Sequence, residues 1–156
     1  MNLPRNLAFA LLLMTTALIV NTGSTRAEPK VPSKPQLKAK VQEFGSAYMK
    51  GDWPTLLELM APFVRECTTA DQLREGWTSD SPTLKLRSWR LKSIDYDNLY
   101  VGEQLHVECT NRTYKVQAGA VVTVWQVIEK EGSEEKGENY FRWVLIDSTW
   151  FCVGQE

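Results

Sequence analysis

The sequence predicts an α+β domain in which helices come first and a meandering antiparallel sheet follows. Three observations carry that expectation. Apolar residues recur at helical spacing from Leu37 to Trp77. From Leu84 onward the chain is rich in Val, Ile, Thr, Tyr and Trp, and only short polar links separate the runs. A length of 156 residues suits one domain. With 43% hydrophobic and 24% charged residues, the composition excludes a disordered chain, a collagen-like fibre and a multi-span membrane protein. The balance of 18 basic against 19 acidic residues argues against nucleic acid as the main partner.

Residues 1–27 read as a secretory signal peptide. Arg5 supplies a positive start, Leu7 to Val20 an apolar run too short to span a bilayer, and Thr25-Arg26-Ala27 a small-x-small cleavage site. The mature chain is then exported, periplasmic or secreted, mildly acidic, and without stable membrane insertion after cleavage. Residues 28–35 hold three of the prolines and read as an extended linker. Residues 36–156 form the single domain.

Ser33 caps a first helix carrying Leu37, Val41, Phe44 and Tyr48, with Pro35 in its first turn and Gly51 placed for a left-handed C-cap. Asp52 caps a second helix with Trp53, Leu56, Leu57 and Met60 on one face, ending near Ala61 because Pro62 cannot continue it. Thr69-Ala70-Asp71-Gln72 matches a capping box and opens a short third helix through Trp77. Four strands follow: Leu84–Asp95, Gln104–Val116, Ala120–Lys130 and Tyr140–Val153. Ala118-Gly119 is read as a tight turn and Glu131 to Asn139 as a solvated loop. The third strand is apolar on both faces, Val122, Val124 and Ile128 against Val121, Trp125 and Val127. Its second face must be covered, and a homodimer through the outer sheet face is the economical cover.

Cys67, Cys109 and Cys152 have no CxxC or other metal spacing. One disulfide with a free thiol, or three buried thiols, both fit, and the pairing stays open. Asn111-Arg112-Thr113 is a glycosylation sequon of meaning only in a eukaryotic secretory pathway. There is no glycine-rich phosphate loop and no HExxH, so no cofactor and no metal is expected.

Ala47-Tyr48-Met49-Lys50-Gly51-Asp52-Trp53, followed by Leu56 to Pro62, resembles the opening of a nuclear-transport-factor-2-like domain. Arg142-Trp143-Val144-Leu145-Ile146-Asp147 resembles the closing strand of that superfamily. The resemblance implies a cystatin-like cone, with N-terminal helices packed on the concave face of a curved antiparallel sheet. It places the chain beside ketosteroid isomerases, SnoaL-type cyclases, dehydratases and non-catalytic binding domains.

The enzymatic members are expected to hold a carboxylate or histidine in the cone. The lone histidine, His106, lies opposite Leu105, Val107 and Cys109 on its strand and is read as exposed or structural. Alternation from Trp143 and Leu145 puts Asp147 and Thr149 on the cone side, where Asp147 could act as a general base. The alternative is that Asp147-Ser148 marks a bend with the carboxylate in solvent. Tyr48 and Trp53 near the helix corner are the aromatic candidates for a pocket wall, giving a candidate pocket of Tyr48, Trp53, Asp147 and Thr149. Lys85, Arg87, Arg90 and Lys92 around Trp89 read either as an anion patch or as guards of an edge strand. The function expected is a non-catalytic domain binding a small hydrophobic ligand or a protein partner. The alternatives are a cofactor-free isomerase, cyclase or dehydratase using Asp147, and a structural subunit of an envelope assembly.

Overall fold

A computed structural model describes residues 34–78 and 84–156. The expected leader at 1–27, and the linker up to residue 33 with the Ser33 cap, lie outside the described residues. Helix α1 (Lys34–Lys50) buries Leu37, Val41, Phe44, Gly45 and Ala47. It ends at Gly51, whose φ of 67° suits a residue without a Cβ. The Gly51 amide donates to Tyr48 O and the Asp52 amide to Ala47 O, the paired bonds of a Schellman stop. Asp52 then caps α2 (Trp53–Leu59) by accepting from the Thr55 amide at 3.2 Å.

Helix α2 stops at Leu59, short of the expected Ala61. Met60 swings into extended backbone and bridges Cys152, and the Ala61 amide donates to Cys152 O at 2.7 Å. Ala61 precedes a proline and is extended, as such residues prefer. Pro62 therefore opens a further turn, α3 (Pro62–Arg65), rather than merely closing the helix before it. In α4 (Ala70–Thr78) the capping box is present: the Gln72 amide donates to Thr69 Oγ1, and the Thr69 amide to Gln72 Oε1.

Six strands follow: β1 (Lys85–Asp97), β2 (Gln104–Val107), β3 (Arg112–Lys115), β4 (Ala118–Lys130), β5 (Ser133–Ile146) and β6 (Thr149–Gln155). The first, fourth, fifth and sixth form one antiparallel sheet in the order β1-β4-β5-β6, while β2 and β3 pair only with each other. The expected fold class, one meandering sheet bearing a nuclear-transport-factor-2-like, cystatin-like cone of helices, is thereby corrected. The chain is sheet-rich, with a four-stranded antiparallel sheet, helices N-terminal to it, and a separate hairpin.

The physical reason lies in the turns. The strand expected over Gln104–Val116 is interrupted at Asn111, which takes φ 54°, so the chain folds back on itself instead of joining the sheet. Asp147 and Ser148, at φ 48° and 64°, and Glu131 and Gly132, at φ 52° and 81°, each form a two-residue turn of the type I′ pattern. The first splits the expected Tyr140–Val153 strand in two. The second shrinks the expected Glu131–Asn139 loop to a tight hairpin paired as far as Lys130↔Ser133. Ala118 and Gly119 are strand residues, opposite Leu145 and Val144, not a turn.

Strand alternation assigns the two faces. Val122, Val124, Phe141, Trp143, Trp150 and Cys152 share one face with the helices' Leu37, Val41, Phe44, Leu56 and Met60. On the opposite face Val144 and Ile146 pack with Ala61 and Val116, and with Leu105 and Tyr114 of the β2–β3 hairpin. So part of the second apolar face is covered from within the chain. A Cys67–Cys109 disulfide fastens that hairpin to the end of α3, and Cys152 is a buried free thiol.

Candidate functional site

The expected pocket residues separate into two places. Tyr48 and Trp53 are half-buried and touch, with ring centroids 5.9 Å apart, and both stack on Trp77. Burial pushes the Tyr48 phenol up to about 12. These rings belong to a filled aromatic cluster centred on Phe44, whose ring lies 5.7 Å from Trp77, Trp89 and Trp143 and 5.8 Å from Phe141. Edge-on and tilted contacts of this kind are how aromatic side chains fill a core.

Asp147 is exposed in the β5–β6 turn. Thr149 begins β6 and, with Ser148 and Trp150, meets Gln36, Ala39 and Lys40 of α1 around a small hollow of about 260 Å³. Neither Tyr48 nor Trp53 reaches that hollow. The turn reverses the alternation that would have carried Asp147 onto the helix side. His106 is exposed, its Nδ1 3.2 Å from Thr113 Oγ1.

The larger concavity is a groove of about 860 Å³ between the N-terminal half of α1 and β1. Helix α1 contributes Lys34, Pro35, Lys38 and Gln42, which its 3.6-residue period brings to one side. Strand β1 contributes the unbroken run Trp89 to Ile94. A strand showing only one face to a groove would offer every second residue. Six in succession mean that the edge of β1 itself forms the wall.

That edge is free among the described residues, because β1 is the outermost strand and its one partner is β4. Trp89 and Leu91 lie opposite Gln126 and Val124 on the helix side, whereas Arg90 lies opposite Trp125 on the outer side. Cations therefore flank the edge on both faces. Lys92 is already engaged, paired with Glu138 and set 5.8 Å over the Trp125 ring, and Arg87 pairs with Glu129. Lys34, Lys38 and Arg90 have no carboxylate partner among the described residues, and no carboxylate lines the groove.

Local sequence explains how β1 can sit so near α1. A Cβ on Gly45 would stand 2.3 Å from Trp89 Cδ1, so the indole lies directly on the glycine backbone. Two bulges, between Leu86 and Ser88 and between Leu91 and Ser93, adjust the strand. The alternating basic residues were legible in sequence. The contribution of Lys34 and Lys38 was not, since it requires knowing where α1 lies. The isolated Gly45 inside an otherwise helical pattern was the available signal of close packing.

A second cluster surrounds Glu66 beside the disulfide. Its carboxylate accepts from the hydroxyls of Thr110 and Tyr114 and from the Arg112 guanidinium. The Thr110 hydrogen bond first, then that of Tyr114, hold the carboxyl below the usual carboxylate range. On the sheet's outer face, Arg142 is bound by Asp97 at 2.7 Å and by Glu156, an ion-paired brace between β1, β5 and the chain's end. Among the described residues no group of His, Cys, Asp and Glu could hold a metal ion, and no helix is long and apolar enough to cross a membrane.

No family model matches the chain, and no curated protein matches it. A solved structure that does match is a SEC-C motif containing protein from Rhodopseudomonas palustris. It has 13% identity and a TM-score of 0.47, covering 71% of this chain and 70% of that one. Membership of the nuclear-transport-factor-2-like, SnoaL-like superfamily, expected from the helix corner and the closing strand, is thus corrected. No comparison returned it. The resembling segments are a Schellman stop followed by a capped helix, and the end of an apolar strand. Both are local solutions open to many folds. The comparisons add nothing on export.

Proposed function

We propose that this chain is a non-catalytic binding domain whose working surface is the groove between α1 and the free edge of β1. The observation that carries the reading is the lining. Among the described residues, Lys34, Lys38 and Arg90 stand without carboxylate partners around the strand edge, and none lining the groove is a carboxylate, histidine or cysteine that could do acid–base or nucleophilic work. A protein partner suits this site better than a small hydrophobic ligand. The aromatic side chains that would line an apolar pocket are spent on one another around Phe44. Asp147, the base required by the enzymatic alternative, sits on an exposed turn. The Cys67–Cys109 disulfide supports placing the mature chain in an oxidising compartment, in keeping with export.

The test is site-directed photocross-linking in an extract of the compartment where the protein resides. A photoreactive residue at Gln42, on the groove wall, should give discrete adducts. The same residue at Glu58, exposed on α2 and outside the groove, should not. Equal labelling from both positions, or none from Gln42, overturns the assignment.

A further inference from the structure

We infer that the groove captures an acidic, extended polypeptide segment of a partner protein, which adds to the sheet as a strand alongside β1. The inference rests on the groove being the binding surface and names what it binds. Three observations lead to it. The wall is strand edge, and an edge of unpaired backbone donors and acceptors is matched by another extended backbone. The cations stand on both sides of that edge, Lys34 and Lys38 on the helix side and Arg90 on the outer side. An added strand, whose side chains alternate between the same two faces, could present carboxylates to both. Pro35, Leu91 and Ile94 supply apolar surface on the helix side alone, so the inward positions of the segment can also be partly apolar.

Charge also selects among occupants. A second copy of β1 laid antiparallel on this edge about Leu91 would set Lys85 and Arg87 opposite Asp97 and Asp95, but Arg90 against Lys92, so within the groove itself charge opposes self-pairing in that register. Arg90, with Lys34 and Lys38 across the groove, favours an acidic strand instead. A compact anion such as phosphate would engage the lysines but would leave the strand backbone unpaired.

The test uses the folded chain and a labelled peptide of about ten residues repeating Glu-Glu-Val-Val, so that glutamates stand on both faces of the strand, with binding read by fluorescence anisotropy. Saturable binding is expected. Lys38→Glu and Arg90→Glu, both at exposed positions, should each weaken it about tenfold. N-methylation of alternate peptide amides should abolish it, because it removes the backbone donors without touching charge. Replacing the glutamates by glutamine should also abolish it.

Full binding by the N-methylated peptide, or complete competition by inorganic phosphate, would mean that the groove reads charge alone and would overturn the strand-addition inference. Absence of peptide binding while Gln42-specific cross-links persist would likewise overturn it and leave the groove as the binding surface. Loss of those cross-links would remove the reading on which it stands.

Discussion

Gly45 lies mid-helix, where alanine is ordinarily better by about 1 kcal/mol. Here the added methyl would meet the Trp89 indole at 2.3 Å from Cδ1 and 2.5 Å from Nε1. Trp89 is wedged between Phe44 and Phe141, with ring centroids 5.7 and 5.1 Å away, so moving it would break both contacts. Overpacking should therefore outweigh propensity. Gly45→Ala is expected to lower stability by about 1–3 kcal/mol in urea unfolding, and a stabilised variant would show that β1 can move off α1. Glu66 yields a second expectation. Its carboxyl is held below the usual range in the folded chain by Thr110, Tyr114 and Arg112. The unfolded chain thus takes up this proton more readily. The stabilisation is complete above the ordinary glutamate value, about 4.3, and is lost as pH falls through the lower folded value. Glu66→Gln should flatten the acid limb of a stability–pH curve. An unchanged limb would mean that other carboxylates set it.

At the scale of the element, the helices were largely legible, because caps and stops are chemistry within a few residues. Gly51, Asp52 and Thr69-x-x-Gln72 act as their types dictate. The strands were legible in position but not in partnership. Apolar content marked the run from Gln104 to Val116, yet nothing local said that Asn111 would turn the chain back into its own hairpin; Asp147-Ser148 read either as strand or as a bend with the carboxylate in solvent, and the positive φ of both residues decides for the bend. Continuing the strand through that turn is what put Asp147 and Thr149 on the helix side. Little of the candidate site was readable for a related reason: a groove between α1 and β1 belongs to neither element alone. The β2–β3 hairpin, being outside the main sheet, depends on its attachments. The disulfide joins residues 42 apart in sequence, and in the loop-entropy account such a link contributes about 2–4 kcal/mol. Cys67→Ser with Cys109→Ser should cost that much in denaturant unfolding. The loss should equal that caused by reductant on the wild type. Thiol titration without reductant should find Cys152 only after unfolding, since it is fully buried. A reactive thiol in the native oxidised chain would contradict the Cys67–Cys109 pairing.

Over the whole molecule the question is what covers the outer face of the sheet. The helices occupy the inner face, where the large core side chains lie. On the outer face the hairpin and α3 shield Val144, Ile146 and Phe151. Arg142 with its two carboxylates braces the middle. Beyond that brace, Val121, Trp125 and Val127 of β4 are half-buried, and Tyr140 opposite Thr123 is 45% exposed. Intrachain cover thus handles one part of the apolar face and leaves a smaller patch, and a homodimer through the outer face is a proposal for that patch alone. It predicts a dimer by sedimentation equilibrium. Trp125→Glu, which sets a carboxylate at the patch and removes the ring beneath the Lys92 ammonium, should yield a monomer with unchanged circular dichroism. The fault would lie in the interface and not in the fold, because Trp125 is absent from both buried clusters. A wild-type monomer would refute the dimer and assign the patch to solvent, which half-exposed aromatics tolerate when they are few. It would leave the groove untouched, since Lys34 and Lys38 stand on the helix side and the edge of β1 runs between the two faces.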